Sequence, residues 1–208
     1  MGRLLENIFN ARLTQKLLAL AGVPQAAELQ RFDSSQTSWL QGHVLLGATA
    51  NATLIETTAK IIADSEAQLH YPVASGDRLF MESLLSRAAP GARPWQAEPA
   101  NVVRFKALVF DASGITTTEQ LVQLYEFFQP AIRQSASCSR LIILGRPPHA
   151  LRQVRAATAQ RALEGFTRCI GKEIGAKGAT IQLLYVVKGA ESGLAGPLQF
   201  LLSPKSAY

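Results

Sequence analysis

The stretch Phe105-Lys-Ala-Leu-Val-Phe110 is an almost uninterrupted run of apolar residues, and it decides the fold class. A helical pattern follows over Thr118–Gln134, and a second apolar run comes at Leu141–Leu144. Apolar strands separated by helices are typical of a parallel sheet that is covered on both faces. Because crossovers between parallel strands are right-handed, we predict an α/β fold: a doubly wound parallel sheet in a Rossmann-like three-layer sandwich.

The same alternation of strands and helices extends in both directions from this stretch. The predicted strands are Val44–Leu46, Leu69–Val73 and Thr180–Val187. The predicted helices are Ala52–Ser65, Leu151–Ile174, Leu194–Leu202 and a helix that extends to Arg87 with Asp77 as its N-cap. The Pro- and Gly-containing segment Ala88–Pro94 is predicted to be a loop. Near the start, residues 4–21 show helical spacing that Gly22 and Pro24 end. We therefore expect an N-terminal helical appendage over residues 1–38 and the main domain over residues 39–208.

The composition favours a packed globular protein. Of the 208 residues, 48% are hydrophobic and 17% are charged, whereas a disordered chain would be richer in charge. The net charge is +6, but the basic residues are scattered and are not interleaved with aromatic ones, which argues against a nucleic-acid partner.

Metal, membrane and secretion signals are not found in the sequence. Cys138 and Cys169 form no CxxC pair, and His43, His70 and His149 are far apart, so no metal site is predicted. No apolar run reaches the roughly 18 residues of a membrane span. Without a secretion signal either, the expected location is the cytoplasm and no membrane partner is expected.

The segment Arg161–Ile174 resembles the active-site helix of short-chain dehydrogenases/reductases, the family that includes 3-oxoacyl-[acyl-carrier-protein] reductases. In that family a Tyr-x-x-x-Lys motif lies just upstream, with the Tyr as general acid and the Lys lowering its pKa. With Glu164-Gly165-Phe166 as the anchor, the Tyr position is Ala156 and the Lys position is Gln160. Neither side chain can deliver a proton at neutral pH.

The segment Leu40–Thr53 occupies the register of the family's cofactor loop, Thr-Gly-x-x-x-Gly-x-Gly. Gly47 is kept, but Asn51 and Thr53 stand at the second and third glycine positions. A Cβ at both positions would obstruct the close approach of a pyrophosphate, so no cofactor is expected in this chain. The alternative interpretation is an ordinary turn from strand to helix, with Asn51 as the helix cap.

Two further segments resemble the family but lack its polar groups. Ser139–Arg146 is similar to Gly-Arg-Ile-Val-x-Ile-x-Ser, with Arg146 where the substrate-holding Ser would be. Asp111–Ile115 is similar to Asn-Asn-Ala-Gly-Ile, with both Asn residues replaced. The resemblance therefore implies that Arg146, Ala156 and Gln160 are vestigial positions and that the chain has no catalytic residues.

Several blocks resemble one subgroup, the high-molecular-weight bacterial 3-oxoacyl-[acyl-carrier-protein] reductases. Their N-terminal domain is a degenerate, flavodoxin-like Rossmann domain that precedes an active reductase domain. The blocks are Phe110–Ile115, Leu124–Pro130 and Leu144–Pro148. The final segment, Phe200–Tyr208, resembles a family motif that normally continues into a further strand, so we expect a piece of a longer polypeptide. The resemblance implies a parent that reduces 3-oxoacyl thioesters in fatty-acid metabolism, with NAD(P)H bound in its C-terminal domain.

The leading functional hypothesis is a non-catalytic structural and oligomerisation domain. In reductases of this family the helices that correspond to Thr118–Gln134 and Leu151–Ile174 commonly pack across a dimer interface. The second of these carries small and apolar residues that face either a partner or the sheet (Ala156, Ala157, Ala159, Ala162, Leu163 and Phe166). The expected partners are a second copy and the C-terminal reductase domain of the same polypeptide, with acyl carrier protein as a further candidate.

Two alternatives stay open on the sequence. The first is a nucleotide- or acyl-carrier-binding module in which Arg146 meets a phosphate, instead of being solvated or salt-bridged. The second is an active oxidoreductase with an atypical site. Its candidate groups are Asp111, Glu126, His149 and Tyr185, although no spacing among them forces proximity.

Overall fold

The computed structural model describes residues 29, 30, 32, 33, 38–73, 78–97 and 103–206, with the side chains of 78–80 excepted. The predicted N-terminal helix and the Asp77 cap lie outside these residues. Within them, six strands form one sheet in the order β3-β2-β1-β4-β5-β6, and every adjacent pair is parallel. The strands are β1 (Gln41–Ala48), β2 (Glu66–Pro72), β3 (Arg93–Trp95), β4 (Phe105–Asp111), β5 (Ser135–Gly145) and β6 (Thr180–Tyr185).

Helices cover both faces of the sheet, which confirms the predicted three-layer α/β fold. The helices are α1 (Ile55–Ala63), α2 (Arg78–Ala88), α3 (Val122–Arg133), α4 (Val154–Ile174) and α5 (Ala195–Leu202). Leu46 and Val109 point into one core together with α1, α2 and α5. Leu45 and Leu108, their neighbours in sequence, point into the other core with α3 and α4. Because successive strand residues face opposite sides, two buried faces require an apolar residue at every position.

Two strand predictions need correction. The segment predicted as the loop Ala88–Pro94 ends in a strand, because Arg93 and Pro94 belong to β3. In the described part of the chain this strand pairs with β2 alone, so it is an edge strand. Proline is tolerated in an edge strand because the outer side of that strand has no ladder hydrogen bond to lose. Strand β5 begins at Ser135 and not at Leu141, since a polar stretch with no apolar run forms its first half.

Candidate functional site

The crevice of the fold lies at the carboxyl ends of β1 and β4. From β1 the chain winds outward to β2 and β3, and it then returns to the other side of β1 through β4. This reversal is the topological switch point at which open α/β sheets bind their ligands. The segments after β1, β4 and β5 meet there, so the three segments that resemble the family's cofactor and substrate regions are brought to one place.

Arg146 fills part of this crevice. It follows the last residue of β5 and is only 9% exposed. Its Nη1 donates a hydrogen bond to the carbonyl oxygen of Val186 at 2.9 Å. Its Nη2 donates to Thr53 Oγ1 at 2.7 Å and to Glu191 Oε1 at 2.8 Å. The guanidinium is thus engaged by three groups of the chain itself, which is the arrangement that the salt-bridge alternative predicts.

Glu191, the ionic partner of Arg146, lies in the segment after β6. Its other carboxylate oxygen, Oε2, accepts the backbone N–H of Gly189 at 2.7 Å. Hydrogen bonding of Glu191 to its own backbone, followed by that to Arg146, lowers the pKa of this carboxyl group. Glu191 is therefore held as a carboxylate that faces Arg146.

Gln160, at the Lys position of the family motif, is fully buried and makes three hydrogen bonds to backbone groups. Its Oε1 accepts the N–H of Arg146 at 2.8 Å. Its Nε2 donates to the carbonyl oxygens of Ala112 and Ile115 at 2.8 and 2.9 Å. Ala156, one helical turn earlier, is buried and offers only a methyl group. The two positions give structural support and no proton donor.

The start of α1 is where a dinucleotide's pyrophosphate would bind in a fold of this type. The backbone N–H of Leu54 donates instead to Asp111 Oδ2 at 2.7 Å. The N–H of Thr53 donates to Ser113 Oγ at 2.9 Å. Asp111 is fully buried, its Oδ1 accepts the N–H of Ser113 at 2.9 Å, and burial raises its pKa. A side chain of the protein therefore occupies the anion position at this helix terminus.

Asn51 lies in the turn between β1 and α1. Its φ angle of 61° is in the left-handed region, which glycine adopts most easily and which Asn tolerates better than most residues. The predicted capping role of Asn51 is wrong, because α1 begins at Ile55 with Leu54 as its N-cap. The turn therefore keeps a glycine-like backbone without keeping the glycine.

The glycines that remain in this region are explained by packing. A Cβ on Gly47 would lie 2.5 Å from two ring atoms of Phe127. A Cβ on Gly114 would collide with the carbonyl oxygen of Ala50 and would lie 2.8 Å from the backbone nitrogen of Ala52. Neither position has room for a side chain, so packing alone requires glycine there whether or not a ligand binds.

The candidates for an atypical active site do not converge. Asp111 lies in the crevice, whereas Glu126 and His149 are exposed. The hydroxyl of Tyr185 donates to the carbonyl oxygen of Gln160 at 2.9 Å. Burial, followed by repulsion from Glu164, raises the pKa of Tyr185 to about 12, which makes it a poor proton donor near neutrality.

Sequence reasoning missed Ser113 and Glu191 as partners in the crevice. Ser113 follows Asp111 closely and was open to inference, since β4 lies beside β1 and a hydroxyl after β4 can reach the start of α1. Glu191 lies 45 residues from Arg146, and no spacing in the sequence predicts their contact.

Among the described residues, no cluster of three or more His, Cys, Asp or Glu side chains is arranged for a metal ion. Every helix in the described part of the chain is too short or too polar to span a bilayer.

Similar proteins are found among solved structures only. No family model matches the chain, and no curated protein does. A short-chain dehydrogenase/reductase from Serratia marcescens superimposes with a TM-score of 0.57 at 18% identity, over 82% of this chain and 94% of that one. BdcA, an Escherichia coli protein solved with NADPH, gives 0.62 at 15% identity, over 81% and 90%.

A third similar structure is LugOII, described as a promiscuous reductase that catalyses keto-reduction at C1 during lugdunomycin biosynthesis. It superimposes with a TM-score of 0.59 at 19% identity, over 82% of this chain and 93% of that one. At identities this low the likeness concerns the fold. The chain thus has the Rossmann-like fold that structures of short-chain dehydrogenases/reductases share.

Proposed function

We propose that this chain is a catalytically inactive relative of the short-chain dehydrogenases/reductases with a structural and oligomerisation role. It would serve as the N-terminal domain of a long 3-oxoacyl-[acyl-carrier-protein] reductase, whose C-terminal domain would use NAD(P)H. The observation that supports the proposal lies in the crevice, where Arg146 donates to Thr53 and Asp111 accepts the N–H of Leu54, so that groups a ligand would need are already bonded within the chain.

Cofactor binding would require these internal contacts to break. A pyrophosphate at the start of α1 would compete with Asp111 for the N–H of Leu54 and with Ser113 for the N–H of Thr53. It would also have to share this helix terminus with the Asp111 carboxyl group, whose Oδ2 already lies 2.7 Å from the Leu54 nitrogen. Because the chain already satisfies these donors, a dinucleotide gains little by replacing the internal acceptors.

A reductase mechanism also lacks its proton donor. Ala156 has no ionisable group, and Gln160 uses both ends of its amide to hold backbone atoms. The loss of a general acid alone commonly lowers a rate by about 10²–10⁴-fold. Since the cofactor site is filled as well, we expect no measurable turnover.

The oligomerisation role is supported by a groove of about 410 Å³ between α3 and α4. Its walls are largely apolar. Tyr125, which lines the groove, is 63% exposed, and the neighbouring Val122 is 53% exposed. Apolar lining comes from Tyr125, Phe128, Ile132, Phe166 and Ile170, and Arg133 and Glu173 also line the groove. A two-fold axis along this face would let oppositely charged side chains of two copies pair. These are the helices that pack across dimers in the family that the chain resembles.

Three of the small and apolar residues of α4 do not contribute to that face. Ala156, Ala159 and Leu163 are buried, and the last two belong to the core beneath the helix. Phe166 lies at the boundary, packed against the core and lining the groove. The proposed contact with a second copy therefore uses the outer edges of α3 and α4.

Cofactor binding is tested by thermal unfolding of the chain with NADH and NADPH at millimolar concentrations, beside an active reductase as positive control. A ligand present at 100 times its Kd would stabilise the protein by about 2.7 kcal/mol. We expect no shift, and no oxidation of NADPH with a 3-oxoacyl thioester. A clear shift would reject the inactive-domain proposal and would favour a nucleotide-binding module.

Oligomerisation is tested by sedimentation velocity of the wild type, Tyr125→Glu and Phe200→Glu. Both aromatic residues are more than half exposed, but Phe200 lies on α5, on the opposite face of the sheet. We expect a dimer for the wild type and for Phe200→Glu, and a monomer for Tyr125→Glu. A monomeric wild type, or an equal effect of both substitutions, would contradict the proposed interface.

A further inference from the structure

A second polar cavity lies at the opposite end of the sheet from the crevice. Its volume is about 110 Å³. It is lined by the beginnings of β1 and β4, the first half of β5, the end of α5 with the segment after it, and Gln30 and residues 38–40, which precede β1. The charged groups in its lining are Lys106 and Arg140, and none of its ten lining residues is acidic. Two positive charges share a small space that the proposed function does not use.

An irregularity in β5 forms one wall of this cavity. Phe105 of β4 pairs with Ser135, but Ala107, two residues later, pairs with Arg140. Residues 136–139 therefore bulge out of the sheet, and Cys138 in this bulge has a φ of 56°. Bulges are rare between parallel strands, and they redirect side chains near functional sites. Here the bulge brings both Cys138 and Arg140 to the cavity.

The opposite wall is shaped around Lys106. On β1, His43 pairs with Phe105 and Val44 pairs with Ala107, so Lys106 is skipped on this side too. Gly42 has a φ of 86°, and a Cβ there would lie 3.0 Å from Lys106 Cγ. The backbone of β1 thus makes room for the stem of Lys106, which passes over Gly42 to the cavity.

Arg140 is 3% exposed, which is unusual for a guanidinium without a carboxylate partner. Its Nε donates to the carbonyl oxygen of Ser203 at 3.5 Å, and its Nη1 donates to that of Cys138 at 3.2 Å. Among the described residues it forms no ion pair. A guanidinium has five N–H donors, and a buried charge is costly unless it is paired.

We propose that this cavity binds a phosphate group. A phosphate carries close to two negative charges near neutral pH, which matches one Lys and one Arg, and its oxygens suit the planar donors of a guanidinium. Gln41 also lines the cavity. Its Nε2 donates to Glu66 at 2.9 Å, and that carboxylate is not part of the lining. The site is independent of the crevice and of the proposed inactivity.

The test is calorimetric titration of the full chain at constant ionic strength with inorganic phosphate, glycerol phosphate and acetate. We expect one phosphate per chain, with binding weakened about ten-fold or more in Lys106→Gln, because one charge-assisted contact is lost. The matched control is Lys177→Gln. This exposed Lys precedes β6 at the same end of the sheet and donates to the carbonyl oxygen of Ile132, away from the cavity. The control is expected to bind like the wild type.

A second measurement locates the ligand without changing its contacts. Cys138 lines the cavity, and Cys169 is exposed on α4. In Cys169→Ser, phosphate is expected to slow the reaction of Cys138 with a small thiol reagent, whereas sodium chloride of equal ionic strength is not.

The outcomes separate the possible ligands. Binding of glycerol phosphate but not of inorganic phosphate would identify a phosphate monoester as the ligand, and the reverse would identify free phosphate. No binding of either would overturn the proposal, as would acetate binding as tightly as phosphate. Equal weakening in Lys106→Gln and Lys177→Gln would also overturn it, because the effect would then reflect net charge alone.

Discussion

Nη2 of Arg146 lies 2.8 Å from the Glu191 carboxylate and 2.7 Å from the hydroxyl of Thr53, so one nitrogen joins segments 45 and 93 residues away. The segment after β5 is thereby bound to the start of α1 and to the segment after β6. In folds of this type the crevice is the usual ligand site, and here the side chains of Arg146, Thr53 and Glu191 occupy it with contacts to one another. Substitutions that break these contacts should therefore lower the free energy of unfolding.

Arg146→Met tests how much this closure stabilises the fold. The substitution keeps the apolar stem of the side chain but removes the donors to Val186 and Thr53, and it leaves a buried carbonyl oxygen without its partner. We expect the free energy of unfolding in urea to fall by about 2 kcal/mol. The control is Arg161→Met, which breaks an exposed ion pair with Glu164 and is expected to change stability by less than about 0.5 kcal/mol. Similar losses in both variants would show that Arg146 adds nothing beyond a surface contact.

Gln160→Lys introduces the residue that the resembled family has at this position, and we expect it to destabilise the protein. Lysine cannot accept the N–H of Arg146, and its charge would be buried with only the carbonyl oxygens of Ala112 and Ile115 nearby. The expected loss is more than about 3 kcal/mol, measured by urea unfolding. An unchanged or higher stability would mean that the site accepts a cation and that the crevice is less closed than described.

Gly114→Ala tests whether the glycine is kept for packing. The new Cβ would collide with the carbonyl oxygen of Ala50 and would lie 2.6 Å from Thr49 Oγ1, so the turn after β1 would have to move. We expect a loss of about 3 kcal/mol in the free energy of unfolding, as for an overpacked core. Gly193→Ala is the matched control, because a Cβ there meets open space. Thermal unfolding of the two variants side by side decides the matter, and equal midpoints would refute the packing explanation.

His70 is expected to make stability depend on pH in mildly acidic solution. Its Nε2 lies 3.0 Å from Nδ1 of His43, and burial, followed by the charges of His43 and Arg93, lowers the pKa of His70 to about 4. The unfolded chain takes up a proton near pH 6.5, so between pH 6.5 and 4 it binds more protons than the folded chain. The contribution of His70 to the free energy of unfolding is therefore fully present above pH 6.5, and it is lost as the pH falls from 6.5 towards 4.

The matched variant for this prediction is His70→Phe. The ring of His70 already packs edge-on against Phe105, so an aromatic replacement suits the site, and His43 is exposed enough to bond water instead. Urea unfolding at pH 7 and pH 5 is expected to show a smaller loss of stability in the variant than in the wild type. Equal losses would assign the pH dependence to other groups.

The sheet was predictable where its strands are buried on both faces. The short apolar run Ala107–Phe110, followed by the turn residues Ser113 and Gly114, favours a buried strand, because helices usually need a pattern of ten residues or more. The three-residue strand Arg93–Trp95 was not predictable, since it is short, begins with a charge and contains a proline. The first half of β5 was hidden by its polar residues, whose irregular pairing a strand pattern does not encode.

The crevice was predictable in position but not in its contacts. The resemblance aligned Arg146 with the family's Ser position and Gln160 with its Lys position, and the structure joins the backbone N–H of Arg146 to Gln160 Oε1. The hydrogen-bond acceptors of the Arg146 side chain could not be predicted from the sequence. One is the carbonyl oxygen of Val186, which has no sequence signature, and another is Glu191, whose position depends on the path of the chain after β6.

The three hydrogen bonds of Gln160 also bear on how the protein moves. They join the end of β5, the segment after β4 and helix α4 through one buried amide. None of these parts can therefore separate from the others without breaking hydrogen bonds of the Gln160 side chain. Amide protons of such jointly held segments exchange with solvent in a shared opening event. The region around Gln160 should therefore be among the slowest in the molecule to exchange its amide hydrogens for deuterium.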